Sequence, residues 1–314
     1  MDTEPKMKFR ERWPLQRILG VFAHAGRVLM GRQMAGRGLT IYPDDVYLVS
    51  YPRSGNTWTR FLISNLLHPN EATTFRNIES RVPEIYFNPD HVLRRLPRPR
   101  LLKCHEAFHP NYPRIIYIVR DPRDVAVSFY HHNVKARNIP DTYPMDEFVP
   151  RFIRAEFDPW WGSWGDNVLS WLSMRHRQDS FLLLRYEDMQ ANPRGELVKL
   201  AAFLEAGGFR NVQTAPEHLA RALESSSPER MRALEKEQAR EYAQLKRTRL
   251  DKPFVRSARA GGWKNALSKE SVVAIQEAWG ALMQRLGYAL DFGPRNCEQN
   301  GRRAPSRAEA ARNE

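Results

Sequence analysis

Cysteine is scarce in this chain: its 314 residues include two, Cys104 and Cys297. That excludes a disulfide framework and a cysteine-built zinc site, and it favours a reducing compartment. Long apolar runs are missing too. No stretch approaches the roughly 20 residues of a membrane span. The first residues lack the apolar core and small-residue cleavage site of a secretory signal. Together these absences predict a cytoplasmic protein with no transmembrane segment. No cluster of His and Cys is spaced as metal ligands are, so no metal is expected. No internal repeat is present.

Positive charge, by contrast, is in excess. Lys and Arg number 49 against 36 Asp and Glu, for a formal net charge of +13. A basic surface attracts polyanions: nucleic acid, acidic lipid or a nucleotide with several phosphates. Part of the excess sits near the ends, however. Arg302, Arg303, Arg307 and Arg312 lie in a polar, Ala-rich segment that reads as disordered. Charge alone therefore gives no reason to expect a nucleic-acid partner. Residues 18–30 are apolar with basic residues on both sides. They suit an amphipathic helix on a membrane surface or, the simpler reading, one packed on the domain. The organisation expected is a basic extension over 1–40, one domain over 41–293 and a tail over 294–314. A chain of this length holds a core that needs no disulfides.

Periodicity supplies the fold class. Residues 46–51, Val-Tyr-Leu-Val-Ser-Tyr, form a short β-rich run typical of a buried strand. A turn-rich loop follows, and 57–67 has helical spacing. Residues 100–105, 115–120 and 181–184 read as three further strands. Asp121 and Pro122 suit the cap and first position of another helix. Helices are also expected near 163–175, 194–205, 229–247 and 269–286. Strands alternating with helices predict an α/β fold, a P-loop-like parallel sheet flanked by helices on both faces. Ligands bind such sheets at the carboxyl ends of the strands. Chemistry is therefore expected after Tyr51, after Cys104 and after Val119.

The first of these loops, Tyr51-Pro52-Arg53-Ser54-Gly55-Asn56-Thr57-Trp58, joins a strand to a helix. Gly55 permits a turn with positive φ, so that successive N–H groups converge. The helix N-terminus adds partial positive charge. Arg53 adds a full charge, and Ser54 and Thr57 add hydroxyls. This suits a phosphate cradle, although an ordinary strand–helix turn uses the same residues. The G-x-x-x-x-G-K-[ST] spacing of a Walker A loop is absent. The segment resembles the 5′-phosphosulfate loop, Y-P-K-S-G-T-T-W, of the sulfotransferases that use 3′-phosphoadenosine 5′-phosphosulfate (PAPS). Arg53 stands where that family has lysine and Asn56 where it has threonine. Arginine keeps the charge but presents a planar fork.

Two more segments carry the resemblance. Residues 115–128 run from a strand into a helix as IIYIVRDPRDVAVS. They are similar to the family's 3′-phosphate motif, which implies that Arg120 and Ser128 bind the 3′-phosphate and that Asp124 is structural. Read alone, Arg120 and Arg123 suit an ion-pair network with Asp121 and Asp124. Residues 256–265, RSARAGGWKN, resemble the R-K-G-x-x-G-D-W-K-N signature. Arg256, Gly261, Trp263, Lys264 and Asn265 match it. Ser257 and Ala258 replace the lysine and glycine, losing one charge-assisted contact that Arg259 is placed to replace. The resemblance also implies nucleotide contacts for Phe254, Tyr186 and Trp58, with Trp58 stacked on the adenine.

Lys103-Cys104-His105 closes the second strand. Alternation points Lys103 and His105 one way and Cys104 into the fold. The segment resembles the family's K-T-H, whose histidine is the general base. An imidazole suits proton removal near neutrality. Lys103 and Arg53 are then the cations that stabilise charge on the transferring group. Glu106 is a rival base, set on the opposite face. The resemblance implies PAPS as donor, PAP (3′,5′-ADP) as product and a small-molecule acceptor with a hydroxyl or amine. Residues 72–99 and the run Phe157 to Trp161 either line the acceptor pocket or pack the core. The Gly162-Ser163-Trp164 turn and its helix are expected to be structural. The family's dimer motif is degraded at Ser268, Lys269 and Val273, leaving the oligomeric state open. Residues 241–262 hold six cations and few apolar anchors, and they predict a lid ordered by the nucleotide. Two other readings fit less of the chain: a P-loop nucleotide kinase, and a non-catalytic polyanion or nucleotide binder.

Overall fold

A computed structural model describes residues 38–210, 212–242 and 244–291. The apolar stretch 18–30, the C-terminal arginines and Cys297 lie outside the described residues.

Strand β1, Val46–Ser50, is buried throughout and opens the sheet. It runs through residues 51–55 into helix α1, Asn56–Leu67. Two single-turn helices follow, α2 (Ile78–Arg81) and α3 (Asp90–Leu93). Strands β2 (Leu101–Cys104) and β3 (Arg114–Val119) come next. Helix α4, Pro122–Lys135, starts as its sequence dictates. Asp121 caps it by accepting from the Arg123 amide, and Pro122 takes the first position, where no N–H is needed. Helix α5 is Met145–Ile153. Helix α6, Trp164–Arg175, is opened by a reciprocal capping box between Ser163 and Asp166, a structural role for the Gly-Ser-Trp turn. Strand β4 is Phe181–Arg185, followed by α7, Tyr186–Ala191, and α8, Pro193–Ala206. Helices α9 (Pro216–Ser225), α10 (Pro228–Gln238) and α11 (Lys269–Arg285) complete the set.

The four strands are parallel and ordered β2-β1-β3-β4. Alternate residues feed two cores, as a sheet buried on both faces requires. Tyr47, Val49, Ile115 and Tyr117 pack with Phe129, Phe152, Trp164, Trp171 and Ile275 on one side. Val46, Leu48, Ile116 and Ile118 pack with Phe61, Leu66, Leu200 and Leu204 on the other. From β1 the chain first adds β2 on one side and then crosses to place β3 on the other. That reversal opens a crevice at the carboxyl end of the sheet, between the loops after β1 and after β3.

The expected strands are all present within a residue or two. One helix is corrected. The pattern over 229–247 predicts a single helix, but α10 ends at Gln238 and turns follow. The helical spacing continues because Tyr242 and Leu245 are buried, yet they are delivered by turns. Helices α5, α7 and α9, with the single-turn α2 and α3, escape the sequence reading altogether.

Candidate active site

The loop after β1 is shaped by two left-handed residues, Arg53 at φ 71° and Gly55 at φ 102°. A Cβ on Gly55 would stand 2.5 Å from the Tyr186 ring. Position 55 therefore requires glycine twice over, for its backbone angle and for the aromatic ring against it. Gly55 caps α1 without a side-chain hydrogen bond, so the first amides of the helix remain as donors, a ready anion site. Ser54 is fully buried, and its Oγ has no hydrogen-bond partner among the described residues. The Asn56 amide turns back into the strand, donating to Ser50 Oγ at 3.2 Å. Thr57 and Trp58 line the cavity, and Trp58 meets Tyr186 edge-on at 5.5 Å.

Arg120 stands at the end of β3. Its guanidinium lies 4.3 Å over the Tyr186 ring and donates to the carbonyls of Arg53 (3.4 Å) and Arg259 (3.0 Å). Its Nε is buried with no partner among the described residues. Ser128, two turns into α4, accepts from Arg53 Nε at 3.2 Å. Arg53 also donates to the Phe254 carbonyl at 3.3 Å and lies 4.7 Å over the Phe254 ring. Burial, with Arg120 adding, pushes the Arg53 guanidinium down to about 10, still charged near neutrality. The chain thus brings Arg53, Arg120, Ser128 and Phe254 together from three distant segments.

The third segment is held by structural bonds. The Asp124 carboxylate accepts from the amides of Gly261 (2.7 Å) and Trp263 (3.0 Å). This is the structural role expected of Asp124. Arg123 pairs with Asp121 and Asp291, and Arg120 stands 3.9 Å from Asp124, so the ion pairs read from the sequence are present in two separate parts. Ala258 keeps a left-handed φ of 51° at the position where the resembling family has glycine. Its carbonyl accepts from Gln190, whose other amide atom accepts from Ala260 N. Arg256, Ser257 and Ala258 all line the cavity. Burial and the charge of Arg120 lower the Arg256 guanidinium. No nucleotide-facing contact of Arg259 is seen; its carbonyl serves Arg120.

At the end of β2, His105 Nδ1 lies 2.8 Å from the Ser50 carbonyl. A carbonyl only accepts, so Nδ1 carries the proton and Nε2 keeps its lone pair. Burial, then the charge of Lys103, drives this imidazole well below its ordinary range. The ring is neutral at pH 7. Cys104 is fully buried, as strand alternation requires. Glu106 accepts from the Tyr112 hydroxyl at 2.9 Å, among residues that do not line the cavity.

Lys103 holds a surprise. Its ammonium is buried, 1% exposed, and forms an ion pair with Glu84, itself 4% exposed. The contact is close without the direction of a hydrogen bond. Segment 83–85 runs beside β2 as a parallel bridge, with Lys103 N donating to the Pro83 carbonyl at 2.8 Å. Gln244 occupies the other Glu84 oxygen. Burial lowers the lysine pKa, which Glu84 opposes.

Of the site residues expected from the sequence, all except Ser54 border one cavity of about 400 Å³. Its far end, beyond His105, is walled by Phe87, Phe129, His132, Asp158 and Trp161. The expected acceptor segments therefore do reach the cavity, through Glu84, Phe87, Asp158 and Trp161. Trp161 donates to Asp158 at 2.7 Å and sits edge-on to His105 at 5.8 Å. Gln190 and His132 were legible in principle. Each lies four residues, one helical turn, beyond a residue already singled out, Tyr186 and Ser128. Glu84 and Gln244 left no local signal. Among the described residues, no group of three His, Cys, Asp or Glu is placed to hold a metal ion, and no helix is long and apolar enough to cross a membrane.

The expected lid, 241–262, is tied down without a ligand. Lys135 Nζ donates to the carbonyls of Arg249 (2.7 Å) and Lys252 (2.5 Å). Glu235 accepts from the amides of Phe254 and Val255. Asp141 pairs with both Arg249 and Lys252. Two of the six cations expected to repel one another, Arg249 and Lys252, are paired with Asp141, a partner distant in sequence. Only the arc from Arg256 onwards combines exposed arginines with the cavity rim.

Residues 43–287 match the family model of the sulfotransferase domain. The chain is similar to dog sulfotransferase 1B1, with 30% identity over 266 residues, 77% of this chain and 86% of that protein. It is similar to mouse sulfotransferase 2B1, also at 30% over 266 residues, covering 80% and 73% of the two chains. Among solved structures, mouse sulfotransferase SULT7A1 complexed with PAP superposes with a TM-score of 0.62 at 25% identity, over 80% of this chain and 87% of that one. Retinol dehydratase in a complex with retinol and PAP gives a TM-score of 0.66 at 19% identity, covering 85% and 88%, a likeness of fold.

Proposed function

The chain belongs to the sulfotransferase domain family, and on that premise we propose that His105 is the general base with which it moves the sulfuryl group of PAPS to a hydroxyl on a small acceptor. It is a PAPS-dependent enzyme, and its own residues fit that donor. Uncapped amides of α1 and the partnerless Ser54 hydroxyl suit the 5′-phosphosulfate. Arg120, with its unpaired Nε, Ser128 and Arg256 suit the 3′-phosphate. Tyr186, Trp58 and Phe254 offer aromatic faces to the adenine.

The observation that carries the base assignment is the 2.8 Å bond from His105 Nδ1 to the Ser50 carbonyl. It fixes the tautomer that can accept a proton at Nε2, within the cavity that the phosphate-binding arginines also border. His105 takes the acceptor proton at Nε2. The acceptor oxygen bonds to sulfur as the bond from sulfur to the 5′-phosphate oxygen breaks. The electron pair leaves with PAP, and the cationic end of the cavity stabilises it. Lys103 reaches the transferring group only by sharing its charge with Glu84. Arg53, drawn to Ser128 and Phe254, serves the phosphate side first.

The test is transfer of labelled sulfate from PAPS across a panel of hydroxyl and amine acceptors. His105→Ala is expected to lose more than 100-fold of turnover, the usual scale of general-base catalysis. Its PAP affinity should stay within about twofold, because the ring touches the acceptor side. Retained turnover would move the base elsewhere.

A further inference from the structure

Helix α4 contributes a second imidazole to the cavity that the reaction described above leaves unused. His132 lies one turn beyond Ser128, stacks on Phe129 with ring centroids 6.2 Å apart, and lines the acceptor end with His105, Asp158 and Trp161. Its side chain has no hydrogen bond among the described residues, and Nδ1 is fully buried without a partner. A small void lined by Arg53, Ser128 and Phe254 borders the same ring. A buried nitrogen with no partner is costly, and beside Phe87, Phe129 and Trp161 another hydrophobic ring would fill the position more cheaply. The nitrogen is therefore placed for a group that arrives with the acceptor.

The ring's protonation fits such a task and excludes another. Burial, followed by the charges of Arg53, His105 and Lys135, pushes the imidazole down to about 3. His132 is neutral at any working pH and is no proton shuttle. A neutral imidazole offers one donor and one acceptor nitrogen, the chemistry that suits a hydroxyl or carbonyl.

We propose that His132 is a specificity residue that hydrogen-bonds a second hydroxyl or carbonyl group on an aromatic acceptor, while His105 deprotonates the hydroxyl to be sulfated. The proposal rests on the sulfotransferase reading of the same cavity. It assigns the acceptor class: a flat apolar frame carrying two polar groups, one for each histidine. Discrimination follows from the site's side of the bond. An acceptor with one hydroxyl leaves His132 buried and unpaired, and sites built to bond a substrate group reject analogues that lack it far more strongly than apolar pockets reject a missing methylene.

The experiment compares 2-naphthol with the isomeric dihydroxynaphthalenes, reading kcat/KM as a ratio so that any general loss of activity cancels. In the wild-type enzyme at least one isomer is expected to exceed 2-naphthol by about tenfold or more, the factor for one buried polar group left unpaired. In His132→Phe the ratio should fall to within about twofold of unity. His132→Asn, which keeps a hydrogen-bonding group near the Nδ1 position, should restore part of it. A ratio that persists in His132→Phe, or the absence of any favoured isomer in the wild type, would overturn the proposal. The same ratios are measured as dissociation constants on the PAP-loaded protein. Absence of sulfation of every acceptor would then count against the functional reading, while the binding ratios still decide the role of His132.

Discussion

Single residues set the chemistry here by what they touch, and His105 illustrates this best. Its type is common and its position at a strand end is suggestive, but the bond to the Ser50 carbonyl is what leaves its Nε2 free to accept a proton. Burial and Lys103 hold its pKa well below the ordinary value. The acid limb of a kcat/KM–pH profile should therefore lie clearly below pH 6.5, the unperturbed imidazole value. Removing the like charge with Lys103→Met should shift that limb towards higher pH. A limb that stays in place would show that Lys103 does not act on His105 electrostatically.

Arg120 makes a second residue-scale prediction. Arg120→Met should weaken PAP binding by about 1.5–3 kcal/mol, the range for a hydrogen bond to a charged group. Adenosine 5′-phosphosulfate, which lacks the 3′-phosphate, should lose almost nothing in a parallel titration. Equal losses would assign Arg120 to the fold, where it already braces the carbonyls of Arg53 and Arg259.

At the scale of elements, the strand–loop–helix unit from β1 to α1 shapes the loop that borders the cavity. Its loop geometry depends on left-handed backbone at Arg53 and Gly55. Gly55→Ala forces a residue with a Cβ into φ 102° and drives that atom to 2.5 Å from the Tyr186 ring. The strain is about 1–3 kcal/mol, to be read as a lower urea midpoint. PAP affinity should fall as well, because Tyr186 carries Arg120 on its ring face. Normal stability with normal PAP binding would mean the loop relaxes more freely than its packing indicates. The β1–α1 and β3–α4 units were legible because local chemistry defines them: a buried β-rich run, a turn glycine, and an Asp-Pro helix start. Helix α10 was overextended because buried Tyr242 and Leu245 continue a helical spacing through non-helical turns. Helix α9, Pro216–Ser225, was overlooked although Leu219, Ala222 and Leu223 are spaced as one apolar helical face.

Over the whole molecule, tertiary pairing divides the cations of residues 241–262 into those with carboxylate partners and those at the cavity rim. Arg249 and Lys252 are neutralised by Asp141, and Lys135 clamps their backbone. Nucleotide binding should therefore change exposure along the arc from Arg256 to Arg259 and not along the whole connection. Limited trypsin digestion checks this. Cleavage after Arg256 and Arg259 should slow more than tenfold at PAP concentrations about 100-fold above the dissociation constant, where binding stabilises by about 2.7 kcal/mol. Cleavage after Lys246 and Arg247 should change little. Protection spread evenly over all four sites would restore the larger lid.

The sequence by itself determined the alternation of strands and helices, the three segments that border the cavity and the pairing of Lys103 with His105 on one strand face. These are local properties, written in periodicity, turn residues and motifs a few residues long. Tertiary structure alone decided the rest. It turned Arg53 towards Ser128 and Phe254, set Glu84 against Lys103, and brought Gln244 and His132 to the same cavity. It also supplied Asp141, the carboxylate that pairs with Arg249 and Lys252. Each of these contacts joins residues from about twenty to about two hundred positions apart. Spacing along a chain carries no information about such neighbours; only the crossing of the chain at the β1–β3 switch brings them within reach.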